Sequence, residues 1–521
     1  MTNNVAQAQP TQSDTGLQSK GLGSGRVGLV AAAVIGLSCI APAYTLSGGL
    51  GPTASVVGEH LPAIFLVSFI PMLLVALGYK ELNQAMPDSG TTFTWATRAF
   101  GPVMGWLGGW GLLAATILVL SNLAGIAVEF FYLLLAQIFH NPGLADLSRN
   151  VPVNIITCAI FMLVATTISY RSLDTTKVVQ YILVGFQVGV LLLFAGMALW
   201  KAHNAQAFDA TPIHLDWFNP FSIGSFSAFA AGVSLSVFIY WGWDVVLTLS
   251  EETKGTSATP GKAATLTIFV IVVLYQLIAV SMVNFAGTSD GEYGLGNPKI
   301  QENIFAALSG PVMGPLAILM SIAVLGSSAA SLQSTVIGPA RTMLAMGFYG
   351  GLPKRFAHIS PKFQSPGFAT IVSSLTSFIF YAIMRVISEA VLWDTITALG
   401  MMVCFYYGIT AFSCVWYFRK HAFDSIAHAL NRFICPLIGG TLLMVFFVRT
   451  SIDAMDPSYG SGSQVFGIGL VFVLGATVLL LGVVAMAITW WRNPAFFRGQ
   501  TLTKGKPGDD MVTVDNALNL D

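Results

Sequence analysis

The sequence predicts an all-α membrane protein with twelve transmembrane helices, and three observations carry that reading. The 521-residue chain is 55% apolar and only 9% charged, a balance that soluble domains of this size do not show. Apolar stretches of roughly 18 to 25 residues recur along almost the whole chain, each about long enough to cross a hydrocarbon layer of about 30 Å as a helix. They neither shorten nor alternate as barrel strands do. Backbone polar groups in lipid must be satisfied within each segment, which leaves helices.

Residues 1–25 are rich in Gln, Ser, Thr and Gly, with no apolar run before the first span, and are expected to form a disordered tail, not a signal peptide. Spans are expected at 27–57, 61–82, 100–138, 152–170, 177–200, 225–252, 262–285, 314–346, 368–388, 393–418, 431–449 and 465–491. Spans 1–5 then occupy residues 26–210, spans 6–10 residues 211–420 and spans 11–12 residues 421–492, followed by a C-terminal tail at 493–521. Twelve crossings put both termini on one side. Of the 24 Lys and Arg, only Arg149, Lys201, Lys299, Arg385 and Arg449 fall on the other side. By the positive-inside rule the termini are cytoplasmic and the protein is a multi-pass protein of the cytoplasmic (inner) membrane. The bias is independent of the hydropathy that places the spans, and one miscounted helix would scramble it. Trp200, and Trp490 and Trp491 beside Arg492, fit interfacial anchoring.

Several function classes have no support. Cys39, Cys158, Cys404, Cys414 and Cys435 all lie in apolar segments, without a CxxC pair. The histidines, His60, His140, His203, His214, His358, His421 and His428, fall in or beside connections, without HExxH or comparable spacing. Neither a structural metal nor zinc catalysis is expected, and no cofactor or nucleic-acid partner. There is no nucleophile elbow, Walker loop or soluble cofactor domain, so an enzyme is not expected. A channel would need more polar pore-lining residues.

Two spans are interrupted. In the first, the run Ala31–Ile35 meets Gly36, Ser38 and Pro42 before resuming toward Gly48 and Gly49; in the sixth, Gly242 and Asp244 stand in mid-span. Five helices separate the start of one from the start of the other, and that odd offset inverts the second set relative to the first. Interruptions at corresponding places in two inverted halves point to a transporter's central site. Each has a plainer reading alone, Pro42 as a kink and Gly242 as a packing glycine.

The motifs around these breaks resemble those of the amino acid, polyamine and organocation transporter superfamily, in particular its bacterial amino acid permeases. The resemblance covers about residues 26–420. It rests on Ser38-Cys-Ile-Ala-Pro-Ala-Tyr-Thr-Leu46, on Met86-Pro-Asp-Ser-Gly-Thr-Thr-Phe-Thr-Trp95 followed by Phe100-Gly-Pro102 and Gly105-Trp106, and on Tyr240-Trp-Gly-Trp-Asp244 with Ser250-Glu-Glu252. Gln333-Ser-Thr335, Pro339-Ala-Arg-Thr342 and Ala345-Met-Gly347 complete it. The chain departs from the pattern at Thr91, where a second glycine is usual, and at Gly255–Pro260, where an Asn-Pro is usual. The resemblance implies a LeuT-like fold of five-plus-five inverted repeats with two extra helices. It also implies transport of amino acids, or alternatively of polyamines or organic cations, by proton-coupled symport or by exchange.

A zwitterion in the membrane core needs partners for both charges. The unwound start of the second half of span 1 offers N–H groups at a positive dipole end to a carboxylate. That assigns the backbone of Ser38, Cys39, Ile40, Ala41, Pro42, Ala43 and Tyr44. The end of the first half of span 6 offers carbonyls to an ammonium at Phe238, Ile239, Tyr240 and Trp241, with Gly242 and Trp243 completing the break. Phe238 and Trp241 are candidate gates, Phe238 because its distance from Gly242 matches the gating aromatic of the superfamily. The four aromatics have an alternative reading as plain packing. For the coupling ion, H+ or Na+, the candidates are Asp244, deep in span 6 and otherwise a first-turn acid for its second half, and Glu129. Gln187 joins them because it lies near the depth where some relatives carry a lysine, Lys177 being the only lysine of that span. Ser327, Ser328 and Ser331 of span 8 complete the set; Ser327, Ser331 and Thr335 share one helical face, a pattern that also serves tight helix packing.

Overall fold

The computed structural model describes residues 20–23, 25–171, 173–255, 257–387 and 391–509, with the side chains of the fifth span described from Val178. The side chain of Lys177 and residues 1–19 and 510–521 of the expected tails lie outside the described residues.

Span 1 is two helices, α1 (Leu29–Ile40) and α2 (Pro42–Val57), and span 2 is α3 (Leu61–Ala85). A short helix α4 (Thr92–Phe100) precedes span 3, α5 (Pro102–Ile138); spans 4 and 5 are α6 (Val151–Arg171) and α7 (Leu173–His203). Span 6 is α8 (Phe226–Ile239) and α9 (Val245–Thr248), and span 7 is α10 (Thr259–Ala286). After α11 (Ile304–Met313), span 8 runs as α12 (Ala317–Thr335) and α13 (Ile337–Phe348), then α14 (Gly367–Ile387) and α15 (Val391–Phe418) form spans 9 and 10. A short α16 (Ile426–His428) leads through a π-helical turn into α17 (Cys435–Asp453), and α18 (Leu470–Arg492) and α19 (Pro494–Phe497) close the chain. Ten stretches among the described residues are long and apolar enough to cross a membrane. One of them, Leu29–Ala85, covers spans 1 and 2, and the broken sixth span contributes only the shorter Phe226–Ile239, so the twelve expected crossings are accommodated.

The interior is built around the broken helices. α1 packs on α10 and α12, α2 on α8, and α15 on α5 and α17. α18 turns Leu480, Leu481 and Val484 outward, as a lipid-facing helix does.

The chain ends are drawn in further than the tails expected at 1–25 and 493–521. Lys20 is buried. Beyond span 12, Phe496 and Phe497 are buried, Thr501 Oγ1 donates to the carbonyl of Tyr349 at 2.6 Å, and Arg98 donates to the carbonyl of Thr503 at 3.2 Å. Two adjacent aromatics and a buried guanidinium needing acceptors hold the segment down.

Thr91 adopts φ 43°, the left-handed region where a β-branched side chain is strained and glycine is not. Its hydroxyl is buried without a hydrogen-bond partner. The glycine usual in related chains therefore has a steric reason. Thr91→Gly is expected to stabilise the fold by about 1–2 kcal/mol, read as a higher melting temperature of the purified protein; a lower one would refute the strain.

Candidate functional site

Pro42 determines where span 1 breaks. Its ring disfavours α geometry in the preceding residue, and Ala41 takes φ 55°, ψ 67°. Pro42 itself suits the first position of α2, where the missing N–H would be unpaired anyway. In span 6, Gly242 takes φ 112°. A Cβ there would lie 3.0 Å from the carbonyl carbon of Cys39 and 3.1 Å from the nitrogen of Ile40. The two breaks are thus in backbone contact, and only a residue without a side chain permits it.

The peptide groups freed by the breaks are only partly taken. At the start of α2, the Ala43 N–H donates to Gln187 Oε1 and the Tyr44 N–H to Ser327 Oγ, both at 3.4 Å. These long bonds hold the donors without saturating them. Ser327 Oγ also donates to Gln187 Oε1 at 2.5 Å. At the end of α1, Ser331 Oγ donates to the carbonyl of Cys39 at 3.0 Å, and the hydroxyls of Ser38 and Ser334 pair at 3.3 Å. At the end of α8, the Phe238 carbonyl accepts from the Trp241 N–H at 2.9 Å and the Ile239 carbonyl from Tyr275 OH at 3.0 Å. Among the described residues, no donor reaches the carbonyls of Tyr240 and Trp241. The N–H groups assigned to a carboxylate are therefore guarded by side chains, while part of the carbonyl set faces no protein donor.

The aromatics divide. Phe238 meets the ring of Tyr44 edge-on, centroids 6.0 Å apart, and Trp241 Nε1 donates to Tyr406 OH at 2.5 Å; both stay beside the breaks. Tyr240 and Trp243 follow the packing alternative. Tyr240 donates to the carbonyl of Phe65 and lies on Tyr275, whereas Trp243 packs against Tyr79 and Tyr407.

Asp244 is the N-cap residue of α9, but its side chain makes no capping hydrogen bond. Its oxygens accept instead from Tyr406 OH and Tyr407 OH, each at 2.9 Å. At the start of the one-turn α9, its carboxylate is thus held by a tyrosine clamp, because α15 presents two adjacent phenols. Glu129 accepts from Asn303 Nδ2 at 2.7 Å, and Ser47 Oγ of α2 donates to Asn303 Oδ1 at 2.7 Å. Ser328 Oγ is buried without a hydrogen-bond partner.

Several site residues escaped the sequence reading. Asn122 of α5 accepts from Tyr44 OH at 2.7 Å and donates to the carbonyl of Leu392. Tyr275 of α10 ties Thr45, at 2.6 Å, to the end of α8. Tyr406 and Tyr407 hold Asp244. Their common signal is a hydrogen-bonding side chain deep in an apolar span, which needs a partner somewhere.

The two ends of the bundle are closed differently. At the end carrying the termini, Lys20 Nζ lies 2.6 Å from both Asp88 Oδ2 and Glu251 Oε1, Tyr349 OH donates to Asp88 at 2.9 Å, and Arg341 pairs with Glu252. Chain 26–27 runs beside Thr253, with the Lys254 N–H donating to the carbonyl of Val27 at 2.8 Å. The other end holds a cavity of 540 Å³ lined by Ser55, Ser227, Leu235, Trp393, Thr397 and Asp453, and Leu235 lies one helical turn before Phe238.

Burial pushes the Asp88 carboxyl up, but the Lys20 ammonium and hydrogen bonds from Lys20, Thr94 and the Gly90 N–H outweigh it and hold the group below the usual carboxylate range. Lys20 sits well above its ordinary value, its two carboxylate neighbours overcoming burial. The depressed acid contributes fully above its unfolded pKa and the raised base fully below its own, so the latch is intact from about pH 4 to about pH 10. Lys20→Met leaves the buried Asp88 carboxylate and the partly buried Glu251 facing an apolar chain, a loss of about 3–5 kcal/mol. With the other four cysteines replaced, Cys39 is expected to react faster with a hydrophilic thiol reagent in that variant. Native labelling, normalised to the thiolate fraction of Cys39, should be flat between about pH 5 and about pH 9.

A family described as amino acid permease matches residues 27–473. The branched-chain amino acid permease of Lactococcus lactis is 27% identical over 60% of this chain, and the match spans 65% of that permease's length. A low-affinity putrescine importer of Escherichia coli is 24% identical over 82% of this chain and 89% of its own. The crystal structure of MhsT in complex with L-phenylalanine superposes with a TM-score of 0.55 at 17% identity, covering 80% of this chain and 98% of that one. That likeness shows the inverted-repeat fold.

Proposed function

Because the chain belongs to the amino acid permease family, and is therefore a transporter rather than an enzyme, we propose that it carries a neutral amino acid across the cytoplasmic membrane by alternating access. The observation that carries this reading is the contact between Gly242 and the Cys39–Ile40 peptide. It brings the positive end of α2 and the negative end of α8 together, and one zwitterion satisfies both. The chain sits with both termini cytoplasmic, as the distribution of Lys and Arg favours. The latch around Lys20 is then the cytoplasmic closure, and the 540 Å³ cavity the entrance from outside. Phe238 and Tyr44 form the lid between that entrance and the site.

The second reading, a diamine carrier, draws on the putrescine importer among the relatives. Asp244 is the acid nearest the breaks, but both its oxygens are committed to tyrosines. That leaves the carbonyls of Tyr240 and Trp241 for a single ammonium, which favours the zwitterion.

Purified protein in proteoliposomes is expected to take up L-leucine saturably and to show counterflow, with putrescine a poor competitor. Strong putrescine uptake without leucine uptake would transfer the assignment to the second reading. Gly242→Val is expected to abolish uptake while leaving membrane insertion intact, since it adds strain of about 1–3 kcal/mol and a clash with the Cys39–Ile40 peptide. Normal transport by that variant would refute the joined breaks. In this reading the driving ion is the proton and its carrier is Asp244, for which Tyr406 and Tyr407 provide a matched pair of donors. Asp244→Asn is expected to keep counterflow but lose accumulation driven by a pH gradient. Accumulation driven by a Na+ gradient instead would move the coupling site to Ser331 and the Cys39 carbonyl.

A further inference from the structure

At the end of the bundle opposite the termini, two connections meet that are far apart in sequence. The turn Gly58–His60 follows α2, and the turn Leu215–Phe218 lies in the connection leading into α8. Glu59, His60 and Asp216 each offer one ligand atom there, and the three atoms lie within 4.8 Å of one another. We propose that these residues form a divalent-cation site of the zinc class, and that a bound ion clamps the second half of span 1 to the first half of span 6.

The donor set defines the ion. One imidazole and two carboxylates suit Zn2+, Co2+ or Ni2+, whereas Ca2+ and Mg2+ prefer oxygen alone. Around such an ion, with bonds of about 2.0–2.2 Å and tetrahedral angles, ligand atoms stand about 3.4 Å apart. The three groups need to move inward by roughly 1 Å. A fourth position stays open for water or for His214, which is exposed and two residues from Asp216.

Each ligand is also oriented by a second group, the arrangement that metal sites use. His60 Nδ1 lies 3.1 Å from the carbonyl of Asp216. A carbonyl only accepts, so the proton is on Nδ1 and the Nε2 lone pair is left for an ion. Trp217 Nε1 donates to Glu59 Oε2 at 3.2 Å. Asp216 Oδ1 accepts from Ser222 Oγ at 2.8 Å and from Asn219 Nδ2 at 3.2 Å.

The position gives the ion a mechanical effect. α2 and α8 carry Tyr44 and Phe238, and alternating access requires the elements around such a site to move against the rest of the bundle. An ion held by the turn after α2 and the turn in the connection into α8 would tie the outer ends of these two helices together. The cavity beside them, lined by Ser55 and Ser227, would then keep one width.

The test uses the purified full-length chain in nanodiscs and the metal alone. Co2+ is expected to bind with the visible absorption of a low-coordinate nitrogen–oxygen site, to be displaced by Zn2+, and not to be displaced by Ca2+. His60→Gln and Asp216→Asn are each expected to weaken binding by at least about tenfold, with an unchanged circular dichroism spectrum and melting temperature in the absence of metal. Zn2+ is expected to slow backbone amide exchange at residues 58–60 and 215–222 in the native chain and not in His60→Gln. Equal affinity in the two variants and the native chain, or displacement of Co2+ by Ca2+, overturns the site. Binding that leaves amide exchange unchanged overturns the clamp. None of these readouts requires a transport substrate, so their failure is distinguishable from failure of the amino acid reading.

Discussion

The structure depends on how a membrane-embedded chain satisfies peptide groups where a helix stops. In lipid an unpaired N–H or carbonyl costs several kcal/mol, yet spans 1 and 6 both stop midway. Bringing the breaks together solves part of the problem. Gly242 lets the second strand of peptide lie against Cys39 and Ile40, and α7, α10 and α12 supply Gln187, Tyr275, Ser327 and Ser331 to the loose ends. What is left over is a pair of weakly held N–H groups and two carbonyls.

Much of the fold was legible because its cause is local and repeated. Each apolar run is long enough for one crossing, and the charge bias counts crossings independently. The breaks were legible for a similar reason, since Pro42 and Gly242 impose backbone geometry on their own positions. What those breaks touch was less so. The tyrosine clamp on Asp244 pairs residues 162 and 163 positions apart, and Asn122 meets Tyr44 across two helices. Nothing in either segment alone selects the partner. The serine face of α12 falls between these cases, because its spacing was visible while its contact with the Cys39 carbonyl required the fold.

The chain ends show the same limit. Composition described the first 25 residues as a polar tail, but one lysine among them finds a buried and a partly buried carboxylate, and a short run of aromatics after span 12 finds an apolar recess. Isolated charged or aromatic residues in a polar segment are docking points whose receptors lie elsewhere in the chain. The closure they make is electrostatic and sheltered from water, so it resists salt better than a surface pair would. The opposite end has polar ties of its own between its connections but leaves a cavity of 540 Å³, and the structure is therefore more open on that side.

Lys20 has a consequence for how this protein is made. During synthesis it leaves the ribosome before every one of its partners. Asp88 follows after the second crossing, Glu251 only after the sixth, and Tyr349 only after the eighth. The lysine must therefore wait in water while most of the bundle is inserted. The seal at that end is set late in biogenesis, and a nascent chain halted before the eighth crossing would still lack it.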